Sequence, residues 1–337
     1  MSSNPFSLTV MMNKIVAKPE NFSFSPSGLI RNRHVQSILA SSRLRIPSDN
    51  NLMENSEEII ITTAGGSQLL SFFTRKSVAR GLIIIIHGWE GSSSSTYVQA
   101  AGSFFYNSGF SVCRLNLRDH GDSHHLNEGL FHGALIEETF DAVSQLSRLA
   151  GGLPVYIMGF SLGANFCLRI AGKHTQSAIQ NLKHVFAISP PLNPYKTTLA
   201  IDNSYSFYRL YFLRKWKKSL LKKQQLFPHK YDFGEILQAR TCLEMTEAIM
   251  PYFPDFPSSH DYFNLYTLHN DFFQNFEVPV TVFISEDDPV IPLDDFGGLQ
   301  ENEFFRVSRQ KFGGHCGFLD LFPFRCWHQE KIAAMLY

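Results

Sequence analysis

From Glu58 onward, short runs of apolar residues alternate with longer segments in which apolar positions recur at helical spacing. Continuous apolar runs bounded by turn residues are typical of buried strands, whereas recurrence at i, i+3, i+4 and i+7 indicates an amphipathic helix. The pattern predicts these strands: EIIITT (58–63), QLLSFFTR (68–75), GLIIIIHG (81–88), FSVCRLNL (110–117), PVYIMGF (154–160), HVFAISP (184–190), VPVTVFIS (278–285) and NEFFRVSRQ (302–310). It also predicts helices over 95–109, 133–152 and 162–174, and a closing helix over 322–337.

The order of these elements predicts an α/β fold. The first two strands flank the turn AGGS and are expected to pair as a β-hairpin. Strands and helices then alternate, which predicts a mostly parallel central sheet with helices on both faces. The alternation stops at Pro190, and residues 191–276 are aromatic, rich in proline and helix-like. We expect them to form a helical cap inserted between strands 6 and 7, over the sheet edge where α/β proteins bind ligands.

These changes of pattern divide the chain into three predicted parts. Residues 1–55 are polar and interrupted by prolines, and predict an N-terminal arm packed on the domain, with a short helix near 31–42. Residues 56–190 and 277–337 are predicted to form the α/β core, and 191–276 its cap or lid.

Composition narrows the classes of function. The chain has 337 residues with 30 basic and 30 acidic side chains, so no net charge favours a nucleic-acid partner. Its five cysteines are widely spaced and include no CxxC, which argues against a disulfide framework. The first residues lack the pattern of a secretory signal, and the longest aliphatic run, 82–86, is too short to cross a bilayer. We therefore expect a cytoplasmic protein with reduced cysteines.

The segment LRDHGDSHH, residues 117–125, has the composition of a metal site, with three histidines and two aspartates. However, the chain has no HExxH motif and no second group of ligands, which argues against a metal-dependent hydrolase. We predict no metal. Because the segment follows the fourth predicted strand, we expect it to border a site at the same sheet edge, with a role for His120 or His124 left open.

The segment GFSLG, residues 159–163, joins a predicted strand directly to a predicted helix. Gly-x-Ser-x-Gly at such a turn is typical of a nucleophile elbow, in which the serine projects above the sheet at the positive end of the helix. The two glycines allow neighbouring backbone to pass closely. Ser161 is therefore the predicted nucleophile.

A serine nucleophile needs a general base and an acid that orients it, in the chain order serine, acid, histidine for this type of turn. His315, in the glycine-rich FGGHCGF that follows the last predicted strand, is the predicted base. The acid is expected in ISEDDPVIP, after the preceding strand. Asp288 is favoured there, and Asp287 is the alternative.

The developing oxyanion in acyl chemistry is usually stabilised by backbone N–H groups. One is expected from Leu162, the residue after the nucleophile. The second is expected from Trp89, in the loop HGWEGSSSS after the third predicted strand.

Together these segments resemble the α/β-hydrolase superfamily, and within it the YheT-like branch, relatives of the abhydrolase-domain esterases and phospholipases. The finer likeness rests on RNRHVQS, HGWEGSSSSTY, GFSLGAN, SSHDYF, SEDDPVIP and GGHCGF. The resemblance implies a serine hydrolase that cleaves carboxylic esters of lipids or shorter acyl groups and requires no cofactor. Acyl transfer by the same three residues and a non-catalytic binding protein of this fold are the alternatives.

Residues 208–225 of the predicted cap carry seven basic side chains and no acidic ones, interleaved with aromatic and leucine residues. A basic amphipathic helix can bind an anionic membrane surface and admit a lipid substrate. The alternative is a cap helix whose apolar side packs on the domain and whose lysines face water. Peripheral membrane contact is thus a second hypothesis about partners.

Overall fold

The computed structural model describes residues 23–46, 51–321 and 324–336. The first 22 residues and residues 47–50 of the predicted arm lie outside this description, as do three residues of the predicted closing helix, 322, 323 and 337.

An eight-stranded sheet forms the centre of the molecule, in the order β1-β2-β4-β3-β5-β6-β7-β8. Its strands are β1 (Ser56–Thr62), β2 (Gln68–Thr74), β3 (Leu82–Ile86), β4 (Ser111–Leu115), β5 (Val155–Phe160), β6 (Leu182–Ile188), β7 (Val280–Ser285) and β8 (Phe305–Gln310). The β1–β2 and β2–β4 pairs are antiparallel, and every other pair is parallel. The mostly parallel sheet predicted from the alternating pattern is confirmed.

Helices cover both faces of this sheet. They are α1 (Arg33–Ala40), α2 (Asn51–Glu54), α3 (Thr96–Asn107), α4 (Ile136–Ser147), α5 (Leu162–His174), α6 (Pro194–Asn203), α7 (Ser206–Leu226), α8 (Cys242–Ile249), α9 (Ser259–Asn264) and α10 (Trp327–Met335). In the part of the chain that the structure describes, no helix is both long and apolar enough to cross a membrane.

The apolar strand β3 shows why the sheet is buried on both sides. Successive side chains of a strand point to opposite faces. Ile83 and Ile85 accordingly join the core beneath α3 and α10, whereas Ile84 and Ile86 join the core beneath α4 and α5. The second core continues into the cap, which places the cap on the α4–α5 side of the carboxyl edge.

The segment between β6 and β7 contains α6, α7, α8 and α9, and its described regular structure is helical, as expected of the cap. The predicted limits of the arm, the core and the cap at residues 55, 190 and 276 stay predictions, since helical content does not define a domain boundary.

Several element ends differ from the sequence prediction, and two of these differences have a visible cause. The closing helix begins only at Trp327, because residues 325–326 pair as a short strand, β10 (Arg325–Cys326), with β9 (Leu319–Asp320). The last strand of the large sheet begins at Phe305 rather than at residue 302. The Asn302 side chain accepts the N–H groups of Phe304 and Phe305, each at 2.8 Å, and so turns the chain before the strand starts.

Candidate active site

Ser161 lies in the turn between β5 and α5. Its backbone has φ 51° and ψ −121°, a conformation that costs a non-glycine residue about 1–3 kcal/mol. The turn is tight because both glycines of the motif touch backbone. A Cβ on Gly159 would lie 2.3 Å from the Gly163 oxygen, and a Cβ on Gly163 would lie 2.3 Å from the His87 oxygen. Only glycine fits at either position, which is the physical reason for the spacing of the motif.

The Ser161 side chain is available for chemistry. Its N–H donates to the Ile188 oxygen at 2.8 Å, which fixes the turn against β6. Its hydroxyl makes no capping hydrogen bond to α5 and borders a cavity beneath the cap. The start of α5 presents unpaired N–H groups and the positive end of the helix dipole, which favour negative charge on an oxygen at this point.

The structure places Asp288, and not Asp287, against the His315 imidazole. Asp288 Oδ2 lies 2.9 Å from His315 Nδ1, while its Oδ1 accepts the N–H groups of Val290 and Ile291 at 2.8 and 3.0 Å. The Asp288 side chain is only 3% exposed. Asp287 instead accepts the N–H of Gly314 at 2.9 Å and so supports the loop that carries the histidine. The two neighbouring carboxylates therefore have separate tasks.

Two opposing effects act on the pKa of His315. Burial lowers it, whereas the Asp288 carboxylate and the adjoining Cys316 raise it, and the net result is a pKa well above its ordinary value. The hydrogen bond from Nδ1 also leaves Nε2 as the nitrogen that can accept a proton, which is the arrangement that general-base catalysis requires.

The N-terminal helix α1 positions this loop, a role that sequence reasoning missed. Ser37 Oγ accepts the His315 N–H at 2.9 Å. The buried Gln36 side chain accepts the Leu319 N–H and donates to the Leu319 oxygen, both at 2.8 Å. The sequence analysis used HVQS only as a mark of resemblance, because nothing local shows that it contacts a loop almost 280 residues away.

On the opposite side of Ser161, buried histidines fix the loop that carries Trp89. His87 Nδ1 donates to the Gly88 oxygen at 2.7 Å, since its Nε2 accepts the Leu117 N–H at 3.1 Å. A peptide C=O and the next N–H point in opposite directions. Because His87 binds the Gly88 oxygen, the N–H of Trp89 in the same peptide points in the opposite direction, away from His87.

The N–H groups of Trp89 and Leu162 are the two predicted oxyanion donors. Neither donates to an acceptor within the described residues, and both residues line the same cavity as Ser161. The Trp89 ring is held by the cap, stacked on Phe212 with ring centroids 5.2 Å apart.

The segment 117–125 supports the loop that carries Trp89. His120 Nε2 accepts the Glu90 N–H at 3.2 Å, and its Nδ1 donates to the Arg118 oxygen at 2.7 Å. Burial lowers the pKa of His120 to about 4 and raises that of Glu90 to about 8. Both side chains are thus held in their neutral forms, and His120 acts through the backbone of the loop.

The rest of the segment joins the core to the cap. Lys223 of α7 donates to Asp119 at 2.7 Å, and this pair is almost completely buried. His124 lies 2.8 Å from the Ser219 hydroxyl, and the exposed Asp122 pairs with Lys222. Within the described ranges no three His, Cys, Asp or Glu side chains lie close enough together to hold a metal ion.

Comparisons with known proteins agree on the fold. A family model described as the alpha/beta hydrolase fold matches residues 81–227, a segment that includes Ser161. Monoacylglycerol lipase of Saccharomyces cerevisiae is 21% identical over 77% of this chain, and human Protein ABHD15 is 30% identical over 37% of it. The matched regions span only 59% and 28% of those two relatives.

Solved structures extend the likeness to most of the chain. The Pyrococcus furiosus esterase Pf2001 matches with a TM-score of 0.55 at 15% identity, covering 83% of this chain and 89% of that protein. A 2,6-dihydroxy-pseudo-oxynicotine hydrolase matches with a TM-score of 0.53 at 14% identity, covering 84% of this chain and 67% of that one. Identities this low establish the fold alone.

The sheet order, the serine turn and these comparisons show an α/β-hydrolase fold. The chain is similar to members of the α/β-hydrolase superfamily, as the sequence resemblance implied. Its placement in the YheT-like branch stays a prediction.

Proposed function

We propose that this protein is a serine hydrolase that cleaves carboxylic esters through an acyl-enzyme on Ser161. The observation that carries the proposal is the strained Ser161 turn, which holds a hydroxyl without a capping bond beside two unpaired N–H groups. The hydrogen bond from His315 to Asp288 supports it from the other side. The lipase and esterase names among the similar proteins favour an ester substrate.

The proposed reaction has two halves, formation and hydrolysis of the acyl-enzyme, and His315 acts as base and then as acid in each. His315 removes the Ser161 proton as the serine oxygen attacks the ester carbonyl, and the N–H groups of Trp89 and Leu162 stabilise the negative oxygen that forms. His315 then gives its proton to the departing alcohol. Water, deprotonated by His315, attacks the acyl-enzyme, and the acid leaves as Ser161 regains its proton.

A fluorophosphonate probe tests the proposal, because it reacts only with an activated serine. We expect labelling of the wild-type protein, loss of labelling in Ser161→Ala, and p-nitrophenyl ester hydrolysis that EDTA does not change. A wild type that stays unlabelled and inactive on a panel of esters graded by acyl length favours the non-catalytic alternative. An ester activity that EDTA abolishes contradicts the serine mechanism.

Acyl transfer is the second candidate, because an alcohol that replaces water in the last step gives a new ester. A surface cleft that Asp288 borders, with Arg33, Asn203 and Tyr205 in its wall, has room for such an acceptor. Mass spectrometry of the products with glycerol or a lysolipid added separates the two activities. A new ester as the main product favours the transferase, and free acid alone favours the hydrolase.

We also propose peripheral contact with anionic membranes through α7. Five of the basic side chains in 208–225 hydrogen-bond to the protein itself: Arg209, Lys215, Lys217, Lys222 and Lys223. Arg214 and Lys218 remain on the exposed face, together with exposed apolar side chains, Phe207, Leu210, Tyr211 and Leu221. Membrane binding would therefore depend on apolar contacts more than the sequence alone indicates.

Flotation with phosphatidylcholine vesicles containing phosphatidylserine tests this contact. We expect the protein to float at low salt and the double variant Arg214→Glu/Lys218→Glu to remain at the bottom. The variant Lys183→Glu/Arg306→Glu makes the same change of charge at exposed positions of the core and is expected to float. Absence of binding by the wild type at low salt contradicts the proposal. The cytoplasmic location stays a prediction.

A further inference from the structure

The cavity beside Ser161 contains polar atoms that the proposed reaction does not use. Its wall is mostly aromatic and aliphatic, but three threonines, Thr197, Thr198 and Thr246, and His132 also line it. Buried polar atoms without a hydrogen-bond partner are rare in folded proteins, because each one lowers the stability of the fold. Such an atom in a cavity wall is therefore a candidate ligand contact.

The three threonines differ in one respect. The Thr198 hydroxyl donates to the Pro194 oxygen and the Thr246 hydroxyl to the Cys242 oxygen, each at 2.9 Å and each one helical turn back. The Thr197 hydroxyl is buried and has no partner among the described residues. Thr197 itself is only 8% exposed. One hydroxyl of the cavity wall is therefore left to bind something else.

His132 supplies a second unpaired atom from the core side of the cavity. Its Nδ1 is buried and unpartnered within the described chain, and its ring is surrounded by Phe253, Phe256 and Tyr262. Burial lowers the pKa of His132 to about 4, so near neutral pH the ring carries no charge. A neutral imidazole nitrogen can donate or accept one hydrogen bond.

The charge behind this wall favours an acceptor atom in the cavity. Arg169 is 7% exposed and donates one hydrogen bond, to the Gly133 oxygen at 2.7 Å. Its Nε and Nη1 have no partner, and no carboxylate pairs with it in the described residues. The guanidinium lies over the Phe166 ring, 4.3 Å from its centroid, and 5.6 Å from that of Tyr266, which lines the cavity. The positive potential attracts an oxygen lone pair.

The acyl part of an ester is the part that would occupy this cavity. The cavity wall is mostly apolar and includes Ser161, which suits an acyl chain attached to the serine. Trp89 and Leu162, the expected oxyanion donors, also line this cavity.

We infer that Thr197 and His132 bind an oxygen atom carried by the acyl chain, so that the preferred substrates are esters of keto, hydroxy or ether acids rather than of plain fatty acids. This inference rests on the proposed function. A site built to hydrogen-bond an oxygen discriminates against the analogue that lacks it, since its own polar groups then stay buried and unpaired.

The test compares p-nitrophenyl esters of equal chain length. One has a plain acyl chain, and the others carry a keto or ether oxygen, each at a different position along the chain. We expect kcat/KM to rise about tenfold over the plain ester when the oxygen stands at one particular position. Thr197→Val and His132→Phe should remove most of that preference, measured as the ratio of kcat/KM between the oxygen-bearing ester and the plain ester. Thr197→Ser and His132→Asn, which keep a polar atom in place, should restore part of it.

Matched variants separate binding from structure. Thr198→Val and Thr246→Val remove hydroxyls that are already paired and should leave the preference unchanged. Thr197→Val should also raise the melting temperature, by about 2 °C, because it removes an unpaired buried hydroxyl. A lower melting temperature in Thr197→Val contradicts the unpaired state on which the inference rests.

The outcomes also separate this inference from the proposed function. If Ser161 is labelled and the plain ester is cleaved, but no oxygen position is preferred, the inference is wrong and the proposed function stands. If Ser161 is neither labelled nor needed for hydrolysis, both are wrong.

Discussion

The two sides of Ser161 differ in the charge of the side chains that hold them. On the base side, His315 Nδ1 is paired with the Asp288 carboxylate. The His315 N–H donates to Ser37 Oγ, and the Gly314 N–H donates to the Asp287 carboxylate. On the oxyanion side the groups expected to act are backbone N–H groups. The titratable side chains behind them, such as His120 and Glu90, are pushed by burial towards their neutral forms.

This difference follows from the chemistry that each side is expected to perform. A group that carries a proton changes its charge during the reaction. It therefore needs a charged partner that stabilises its protonated form. A donor to an oxyanion must keep its direction, and neutral buried side chains orient a peptide without adding a charge that the oxyanion would feel. Changes on the base side should therefore alter the rate and its pH dependence, whereas changes on the oxyanion side should leave the pH dependence of the rate unchanged.

The largest effect is expected at Asp288. Asp288→Asn keeps the shape of the side chain but favours the wrong tautomer of His315, so kcat should fall by about 10⁴-fold. Asp287→Asn is the matched control, since it alters contacts to Gly314 and Ser285 but leaves the Asp288–His315 pair in place, and its effect should stay within about tenfold. Steady-state kinetics on one ester decide between them. A larger loss in Asp287→Asn than in Asp288→Asn would show that Asp288 is not the acid of the site.

The next largest effect is expected where the oxyanion side meets the cap. Lys223→Met leaves Asp119 buried without its ion partner and should lower the free energy of unfolding by about 3–5 kcal/mol. Lys222→Met breaks a pair that is partly exposed and should cost about 0–1 kcal/mol. Urea denaturation measures both. Equal losses would mean that burial of the Lys223–Asp119 pair has no energetic consequence.

A smaller effect is expected at His120. His120→Phe removes the acceptor of the Glu90 N–H and loosens the loop of Trp89, so kcat should fall by about ten- to a hundredfold, less than the removal of an oxyanion donor costs. His120→Gln offers an oxygen acceptor and should recover part of the rate. The midpoint of the pH–rate profile should not move in either variant. A moved midpoint would show that His120 takes part in proton transfer.

The smallest effects concern pH. Since His315 acts as a base only when neutral and its pKa is raised, hydrolysis should increase with pH and reach half its maximum above 6.5. The same shift means that His315 stabilises the fold below about pH 6.5, and that this contribution is lost as pH rises through its folded pKa.

Buried histidines with lowered pKa values act with the opposite sign. The pKa of His120 and that of His184 are each lowered by burial to about 4. Between about pH 6.5 and 4 the unfolded chain binds protons that the folded protein does not, so stability should fall as the pH falls through this range. Rate profiles and urea midpoints measured from pH 4 to 9 separate the two effects. A rate midpoint below 6.5 would contradict the raised pKa of His315.

Local patterns predicted the features that depend on neighbours in sequence. The alternation of strands and helices and the turn around Ser161 were predicted because hydrophobic period and close glycine contacts are local properties. Asp288 and Asp287 were harder to separate, since adjacent residues differ only in the direction that their side chains take. The loop at Asn302 was missed because a side chain there competes with the strand for backbone N–H groups.

What the sequence by itself determined was the fold class and the segments that carry the candidate site, because periodicity and turn geometry act over a few residues. Only the tertiary structure decided what long side chains do. Five of the basic residues in 208–225 hydrogen-bond within the protein, and His120 of LRDHGDSHH holds the loop of Trp89. The physical reason is that a charge or an imidazole is assigned its role by the groups that surround it, and those groups come from distant parts of the chain.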